Sequence, residues 1–494
     1  MSSPTTQFSS HDAEGTLASN TMACKDPGIS DLLETTSRLW LARLGPTRIE
    51  RMAFVLFCGL VLITYLILGL TRYWPAGTRG GSSTLTLDWP RATSGDEPHY
   101  LVVIHSLLYD GDMLMNSDYA RITAGGDAGG AFWKGLPFTG HLILVNPVTG
   151  QTKTCFNCTE QDAAEIGTTL AEAHHYPSHP VGFPALMAGL CFLTAATPAT
   201  VEPIVGVWMI IIAWMTVALT YVASRVAGLP PLHAAIAALL LGFCSSWLPY
   251  IKSYFPEVPI GLALISAYVA FRRDRMIATA VLLFAAVAMK APFLVFGAWW
   301  GAALLWRQRY RQAFIFGSTL GILGLSLVGF NLLTIRQVSS AGAAPFAIAR
   351  GTQSLFDTFF DPLHGVIWFI PWVVLALAWG SCRVLPHSPD RYVGLRKEAL
   401  TDIVIPVWLC IATFGLVAWG PGYCYGPRYW LPLLPFLGLM AGDALVTTAC
   451  WRRSVYVYFA VWAALVAFVG VSQYHLLFSQ RASAGIFSEP VPVR

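Results

Sequence analysis

Charged residues are scarce in this 494-residue chain, because Asp, Glu, Lys and Arg together make up 12% of it. Soluble domains carry about 25%. Hydrophobic residues make up 55% of the chain, and the mean hydropathy is +0.56. A soluble core has no use for that much apolar surface. The composition therefore excludes an ordinary soluble protein and predicts a polytopic membrane protein.

Signatures of nucleic-acid and nucleotide binding are also missing from the sequence. No basic tract with interleaved aromatic residues occurs, so nucleic acid is not expected as a partner. No glycine-rich loop of the GxxxxGK type occurs either. The sequence therefore gives no support to direct use of a nucleotide on the cytoplasmic side.

Long apolar runs are abundant and alternate with short arginine clusters. The first run, 52–70, follows several arginines, which predicts a cytoplasmic N-terminus by the positive-inside rule. The run 181–198 does not fit the alternation of cytoplasmic and outer loops. Whether it crosses the membrane or returns to the side from which it enters stays open. From span length we predict an all-α bundle of about 11 transmembrane helices. The further runs lie near 181–198, 203–224, 232–249, 256–272, 276–289, 292–306, 312–334, 364–380, 402–419, 429–449 and 454–473.

The same pattern divides the chain into five predicted parts. They are a disordered cytoplasmic tail (1–37), the first transmembrane helix (38–71), a large periplasmic loop with interfacial helices (72–180), the transmembrane bundle (181–475) and a C-terminal tail (476–494).

The unusual polar residues all fall on loops that are predicted to face away from the cytoplasm. Ionisable groups at membrane depth cost a few kcal/mol each, so they usually serve a site. Their common side therefore predicts a cavity at the outer leaflet. The candidate site residues are Asp96, Glu97, His99, His179, Lys252, Tyr254, Glu257, Lys290, Tyr425 and Arg428.

The stretch SGDEPHY contains two adjacent carboxylates, Asp96 and Glu97. Ser94 and Glu97 have the spacing of a capping box, and Pro98 suits the first turn of a helix. A cap does not need two carboxylates beside a membrane, so we favour a functional role for the pair. His99 either positions a substrate or caps the helix.

Two cations later in the chain are candidates for binding a phosphate. Arg428 follows a tight turn in YCYGPRYW, and an arginine fork matches a phosphate bidentately. The alternative is an arginine that reaches to the lipid headgroups. Lys290 interrupts an apolar stretch just before Pro292. It is either a plain loop lysine or a group that stabilises a leaving phosphate.

The remaining candidates are predicted to contact substrate. Lys252 and Glu257 form an interfacial ion pair or contact the sugar or a phosphate. Tyr254 either stacks on a sugar face or belongs to the aromatic belt. His179 and Tyr425, in HHYPSHP and YCYGPRYW, are added as substrate-binding residues.

Cys155 and Cys158, in the motif CFNC, lie in a polar loop instead of an apolar run. Together with His174, His175 and His179 they could suggest zinc, but their separation fits no standard zinc finger. An oxidising compartment would favour a disulfide between the two cysteines.

Five motifs occur in a characteristic order between about residues 50 and 450. They are the DE pair in the first outer loop, HYPSHPVGFP, SYFPE, MKAP and YGPRYWLPLLP. This ordered set resembles the GT-C superfamily of integral-membrane glycosyltransferases, near its protein mannosyltransferase and aminoarabinose transferase branch.

The resemblance implies an inverting glycosyltransferase with a polyprenyl-phosphate-linked sugar donor and a lipid, glycan or protein acceptor. Asp96 would be the catalytic base with Glu97 assisting, and Lys290 and Arg428 would bind the donor phosphate. Membrane lipid is a further expected partner, and the implied location is a bacterial inner membrane with its site on the periplasmic face. No cofactor is implied with certainty, and a divalent cation (Mg or Mn) or zinc stays open.

Two other functions compete with this hypothesis. A transporter or flippase of a lipid-linked saccharide would need charged residues along a path across the membrane and some internal repeat, and the sequence shows neither clearly. A non-enzymatic scaffold would leave Lys290 and the carboxylate pair without a purpose.

Overall fold

The structure is a computed structural model. It describes residues 46–74, 84–87, 96–118, 140–337, 355–362, 364–385, 394–416, 426–447 and 450–472. The chain divides into two compact units, Met1–Phe57 and Cys58–Arg494. The predicted tails, 1–37 and 476–494, lie outside the described residues and stay predictions.

The described residues are mostly helical. The α-helices are α1 (Pro46–Leu70), α2 (Asp96–Tyr109), α3 (Glu160–Glu165), α4 (Gly182–Leu193), α5 (Val201–Ala227), α6 (Pro231–Phe243), α7 (Glu257–Arg272), α8 (Met276–Met289), α9 (Leu294–Trp306), α10 (Tyr310–Thr334), α11 (Val366–Phe369), α12 (Trp372–Val384), α13 (Lys397–Leu416), α14 (Leu434–Thr447) and α15 (Cys450–Ser472). Short 3₁₀ helices cover Pro249–Lys252, Ala291–Phe293 and Arg428–Leu433.

Five helical segments among the described residues are long and apolar enough to cross a membrane. The chain is therefore an integral membrane protein. These segments are Arg48–Leu70, Val201–Ala227, Tyr310–Thr334, Arg428–Thr447 and Arg453–Ser472.

Several other predicted spans form shorter apolar helices. The run near 276–289 forms α8, whose 14 residues extend about 21 Å at 1.5 Å per residue, against a hydrocarbon core of about 30 Å. The 3₁₀ turn Ala291–Phe293 separates α8 from α9, because Pro292 cannot continue an α-helical hydrogen-bond ladder. The count of about 11 transmembrane helices stays a prediction.

The predicted loop 72–180 holds β-strands as well as helices, which an all-α fold did not anticipate. β1 (Thr71–Trp74) pairs antiparallel with β2 (Thr84–Leu87). A second sheet has the strand order β4-β3-β5, where β3 is Gly140–Val145, β4 is Thr152–Asn157 and β5 is His174–Pro177. Both of its pairings are antiparallel. The β-branched and aliphatic residues of β3 and β4 suit a half-buried pleated surface.

This three-stranded sheet packs on the end of α10. Ile143 and Val145 of β3 share a buried apolar cluster with Ile335, and Tyr176 of β5 packs against it. Gln337 Nε2 donates a hydrogen bond to Thr152 Oγ1 at 2.9 Å. The sheet therefore lies over one end of the helical bundle.

Two glycines allow the close approaches that bring distant parts of the chain together. A Cβ on Gly182, in α4, would lie 2.5 Å from the backbone of Ala288, near the end of α8. A Cβ on Gly261, in α7, would lie 2.8 Å from the ring of Trp247 and 3.6 Å from Cα of Pro432. The first contact joins the HYPSHPVGFP motif to the end of α8. The second joins α7 to the 3₁₀ helix that begins at Arg428.

Candidate functional site

Asp96 is the first residue of α2, and it pairs with an arginine from the far end of the chain. Arg428 Nη1 lies 3.1 Å from Asp96 Oδ2. Arg428 begins a 3₁₀ helix and is buried. A carboxylate at the start of a helix is also favoured by the helix dipole. Two of the predicted site residues, one early and one late in the chain, therefore lie in contact.

Glu257 connects Arg428 to Lys290. Its Oε1 accepts a hydrogen bond from Arg428 Nε at 2.9 Å and one from Lys290 Nζ at 2.7 Å. Glu257 is fully buried, and its Oε2 has no hydrogen-bond partner among the described residues. Removing one partner from a buried ion pair leaves an uncompensated charge, which is strongly unfavourable. Glu257 therefore holds the two cations at a fixed separation.

Aromatic rings complete the surroundings of both cations. The guanidinium of Arg428 lies 3.8 Å from the centroid of the Phe255 ring, and Lys290 Nζ lies 4.1 Å from that of Tyr429. A cation over the face of an aromatic ring is attracted by the ring's quadrupole. These contacts fix where both cations point.

His179 also lies close to Asp96. Its Nε2 lies 3.9 Å from Asp96 Oδ1. Its ring packs on Tyr100, with 4.9 Å between the ring centroids. Tyr100 lies one helical turn after Asp96, so both side chains are on the same face of α2.

Asp96, His179, Lys290 and Arg428 line one cavity of about 480 Å³. Its polar wall is formed by Asp96, Tyr100, His179, Lys290, Arg428 and Tyr429. Its apolar wall comes from α8 and α10, and includes Phe284, Val287, Leu320 and Leu327. An apolar pocket with a few converging polar groups is the usual form of a small-molecule site.

Glu97 does not line this cavity. It is fully buried, and its Oε1 accepts a hydrogen bond from the backbone N–H of Tyr254 at 2.9 Å. This contact ties α2 to the segment that precedes α7. The geometry favours a positioning role for Glu97 instead of the assisting role that the sequence predicted.

Tyr254 is also fully buried, and its hydroxyl donates a hydrogen bond to Glu202 O at 3.1 Å. A ring enclosed in this way has no face for a sugar, so the predicted stacking is not what the structure shows. His99 is buried in α2 and is not among the residues that line the cavity. Tyr425 lies outside the described residues.

Lys252 and Glu257, which the sequence suggested as an ion pair, contact other groups in the structure. Lys252 Nζ donates hydrogen bonds to Thr71 O and to Val471 O, the second at 3.0 Å. These carbonyls lie at the C-terminal ends of α1 and α15, where a helix favours a cation. Lys252 therefore joins helix ends, and Glu257 joins the cations of the cavity.

Tyr100 and Tyr429 are cavity residues that no sequence motif singled out. Both stand beside a selected residue or one turn from it, since Tyr100 is four residues after Asp96 and Tyr429 follows Arg428. Tyr100 could have been predicted from helical spacing, because residues four apart lie on the same face of a helix. Phe255 also stands beside a selected residue, Tyr254, but only the fold shows that its ring lies against Arg428.

Cys155 and Cys158 form a disulfide. Bonded sulfurs offer no thiolate to zinc. In the described part of the chain there is no group of three or more His, Cys, Asp and Glu residues that could hold a metal ion.

No family model matches the chain, and no protein with a curated description matches it. The chain is similar to the solved oligosaccharyltransferase of Archaeoglobus fulgidus in the apo form, with 10% identity, a TM-score of 0.49 and coverage of 86% of this chain and 56% of that one. For the same protein in complex with Zn and sulfate, the identity is 13%, the TM-score 0.47 and the coverage 87% and 53%. This chain thus spans about half the length of those chains.

The chain is also similar to ArnT from Cupriavidus metallidurans bound to undecaprenyl phosphate. The identity is 13%, the TM-score is 0.44, and the match covers 86% of this chain and 74% of that one. The chain thus resembles solved structures of an oligosaccharyltransferase and of ArnT, but identities of 10–13% do not show which family it belongs to. At TM-scores below 0.5, that similarity assigns no activity to the chain.

Proposed function

We propose that this chain is an inverting membrane glycosyltransferase that uses a polyprenyl-phosphate-linked sugar. The observation that carries the proposal is the series of contacts Asp96–Arg428–Glu257–Lys290 along one cavity. It sets a carboxylate beside two cations in a partly apolar pocket. A base beside an anion-binding pair is what transfer from a phosphate leaving group requires.

Lys290 and Arg428 bind the donor phosphate in this proposal. Arginine offers a planar fork for two phosphate oxygens, and lysine offers a compact charge. The apolar wall from α8 and α10 suits the first isoprene units of the carrier. ArnT, one of the similar structures, is bound to undecaprenyl phosphate, which agrees with this class of ligand.

Asp96 prepares the acceptor hydroxyl. Its carboxylate takes the hydroxyl proton while the acceptor oxygen attacks the anomeric carbon of the sugar. The bond between that carbon and the phosphate oxygen breaks, and its electron pair leaves with the polyprenyl phosphate. Attack opposite the leaving group inverts the anomeric configuration. Lys290 and Arg428 stabilise the negative charge that develops on the phosphate.

The charges around the cavity also suggest a role for His179. Asp96 and Glu257 carry two negative charges, and Lys290 and Arg428 carry two positive charges. A bound phosphate adds negative charge to this balanced set. His179, whose Nε2 lies 3.9 Å from Asp96 Oδ1, is a further polar group that a bound phosphate could contact.

The described residues fit a catalytic zinc ion poorly. Asp96 and His179 would supply two ligands, whereas catalytic zinc sites use three protein ligands. Arg428 already contacts one oxygen of Asp96. Mg or Mn, which bind through one or two carboxylates and substrate phosphates, would be held by Asp96.

We place the cavity at the periplasmic face of a bacterial inner membrane, with residues 72–180 as the outer loop. The disulfide Cys155–Cys158 supports this side, because disulfides persist in oxidising compartments. The arginine-rich turns at the other end of α8 support a cytoplasmic location for that end. About 11 membrane crossings complete the proposed topology.

Lipid binding and transfer can be tested separately on the purified full-length protein. The first readout is binding of undecaprenyl phosphate, and the second is release of undecaprenyl phosphate from a panel of undecaprenyl-phosphate sugars in membrane vesicles. We expect Lys290→Gln to weaken binding at least tenfold. Asp96→Asn should keep binding and lower transfer by about 10²–10⁴-fold, the usual contribution of a general base.

Asp162→Asn and Lys153→Gln are matched controls, because both residues lie on the surface away from the cavity. Transfer that survives Asp96→Asn would remove the catalytic assignment. Movement of the lipid-linked sugar between leaflets of proteoliposomes, without release of its carrier, would favour the flippase.

A further inference from the structure

Two arginine-rich turns lie together at the end of the helices opposite Lys290. One joins α7 to α8 at 272–275, and the other joins α9 to α10 at 307–311. Arg309 forms an ion pair with Asp274, which holds the two turns side by side. We call this surface the arginine patch. Its arginines are Arg272, Arg273, Arg275, Arg307, Arg309 and Arg311.

A buried carboxylate anchors the inner edge of the arginine patch. Arg272 Nη1 lies 3.0 Å from Asp402 Oδ2, and Arg307 Nη2 lies 2.6 Å from Asp402 Oδ1. Asp402 is fully buried in α13. Its contacts fix both turns to the body of the bundle. The two turns therefore form one fixed surface instead of two independent loops.

The outer arginines of the patch face solvent. Arg273, Arg275 and Arg311 are exposed and form no ion pair with any residue that the structure describes. Asp274, Asp402 and the nearby Glu398 offset three of the six positive charges. The patch therefore keeps a net charge of about three positive units, which could attract an anionic ligand.

Exposed aromatic residues border the same turns. Trp306 is 91% exposed, and Tyr310 and Phe314 are also exposed. Tyr310 and Phe314 are four residues apart on α10, so they share one face of that helix. Trp and Tyr rings prefer the boundary between headgroups and hydrocarbon. The patch thus has cations at its tip and apolar surface directly beside them.

We propose that the arginine patch binds the headgroup of an anionic glycerophospholipid such as phosphatidylglycerol. Arginine forks match phosphate oxygens bidentately, and the exposed face of Tyr310 and Phe314 accommodates an acyl chain. The positive-inside rule accounts for the positive charge of such turns. It does not account for two turns that are joined by Asp274–Arg309 and bordered by aromatic rings.

This lipid site is separate from the cavity that contains Asp96. Arg275 directly precedes α8, and Lys290 directly follows it. The helix between them extends about 21 Å at 1.5 Å per residue. A lipid phosphate at the arginine patch therefore cannot be the phosphate that contacts Lys290.

Native mass spectrometry of the full-length protein tests this proposal. The delipidated protein is titrated with phosphatidylglycerol and, separately, with phosphatidylcholine. The test variant is Arg273→Gln/Arg275→Gln/Arg311→Gln. Its folding should be preserved, because the three side chains are exposed. The control is Arg48→Gln/Arg51→Gln/Arg453→Gln, which removes the same charge from exposed arginines of other helices.

We expect the unmodified protein to bind phosphatidylglycerol at least tenfold more tightly than phosphatidylcholine. The test variant should lose this preference, and the control variant should keep it. Equal affinities in the test variant and the unmodified protein would overturn the proposal. So would an equal loss in the control, which would mean general charge attraction.

Competition with undecaprenyl phosphate separates the two lipid sites. We expect undecaprenyl phosphate to leave the phosphatidylglycerol bound. Displacement at equal concentrations would overturn a separate site. Neither result depends on whether the chain transfers a sugar.

Discussion

Asp96 and Arg428 are 332 residues apart in the sequence, and 3.1 Å separates Asp96 Oδ2 from Arg428 Nη1. This contact joins the start of α2 to the 3₁₀ helix that precedes α14. Arg428 also contacts Glu257, which in turn contacts Lys290. Four segments of the chain thus contribute charges to this site, and the balance among these charges can be tested by substitution.

The first prediction concerns the coupling of Arg428 to Glu257. Arg428→Gln should destabilise the protein by about 3–5 kcal/mol, because it leaves a buried carboxylate with one cation fewer. Glu257→Gln should also be destabilising, because it leaves Arg428 and Lys290 without the carboxylate that both contact. The double variant should recover part of the loss, with a coupling energy of about 0.5–3 kcal/mol. Thermal unfolding of the four proteins in detergent measures the cycle. Strict additivity of the two losses would contradict a direct interaction.

The sequence indicated which charged residues to consider for this cavity, but not which of them contact each other. Asp96, Lys290 and Arg428 could be selected because a charge beside or within an apolar run is costly and has few harmless explanations. The role of Glu257 could not be read in the same way. From the sequence alone, Lys252, five residues earlier, is an equally plausible partner for Glu257. Only the packing of α7 against the 3₁₀ helix that begins at Arg428 shows which cations Glu257 contacts.

The region between 140 and 177 was the least predictable part of the fold. Its strands are short and lie between polar segments, so no long apolar period marks them. The sheet is stabilised by contacts that are distant in sequence, such as Val145 with Ile335. The helical start at Asp96 was predictable, because Pro98 and the acidic pair are local signals.

The second prediction concerns Glu97, which the structure places behind the cavity. Glu97→Gln keeps a side-chain oxygen that can accept the hydrogen bond from the Tyr254 N–H, so transfer and stability should change little. Glu97→Ala removes the acceptor and leaves a buried N–H unsatisfied, which costs about 1–3 kcal/mol. Transfer assays and thermal unfolding of both variants distinguish the roles. A large loss of transfer in the stable Gln variant would restore a catalytic role for this carboxylate.

The third prediction concerns Gly182, which lets α4 approach the end of α8. An added Cβ would lie 2.5 Å from the backbone of Ala288, two residues before Lys290. Gly182→Ala should therefore destabilise the protein by about 1–3 kcal/mol, as overpacking does, and weaken binding of undecaprenyl phosphate by shifting Lys290.

Gly189 provides the control in the same helix. A Cβ there would meet nothing within 4 Å, so Gly189→Ala should be neutral or stabilising by about 0.5–1 kcal/mol. Equal effects of the two substitutions on lipid binding would show that the contact of Gly182 with α8 does not position Lys290.

The fourth prediction concerns the pH dependence of the three-stranded sheet β4-β3-β5. Burial lowers the pKa of His175 below its usual value of 6.5, although the hydrogen bond of its Nε2 with Leu170 O raises it in part. The unfolded chain then binds a proton more readily than the folded one. The stabilisation from neutral His175 is therefore fully present above pH 6.5 and is lost as the pH falls below that value.

Hydrogen exchange of the β3 and β5 amides, corrected for the intrinsic pH dependence of exchange, measures this effect. We expect protection to be constant from pH 8 to about 7, the range above the unperturbed histidine pKa, and to fall at lower pH. His175→Gln should flatten the profile, because the new side chain does not titrate. His174→Gln changes the neighbouring residue and should keep the loss at low pH. An unchanged profile in His175→Gln would assign the pH dependence to another group of the loop.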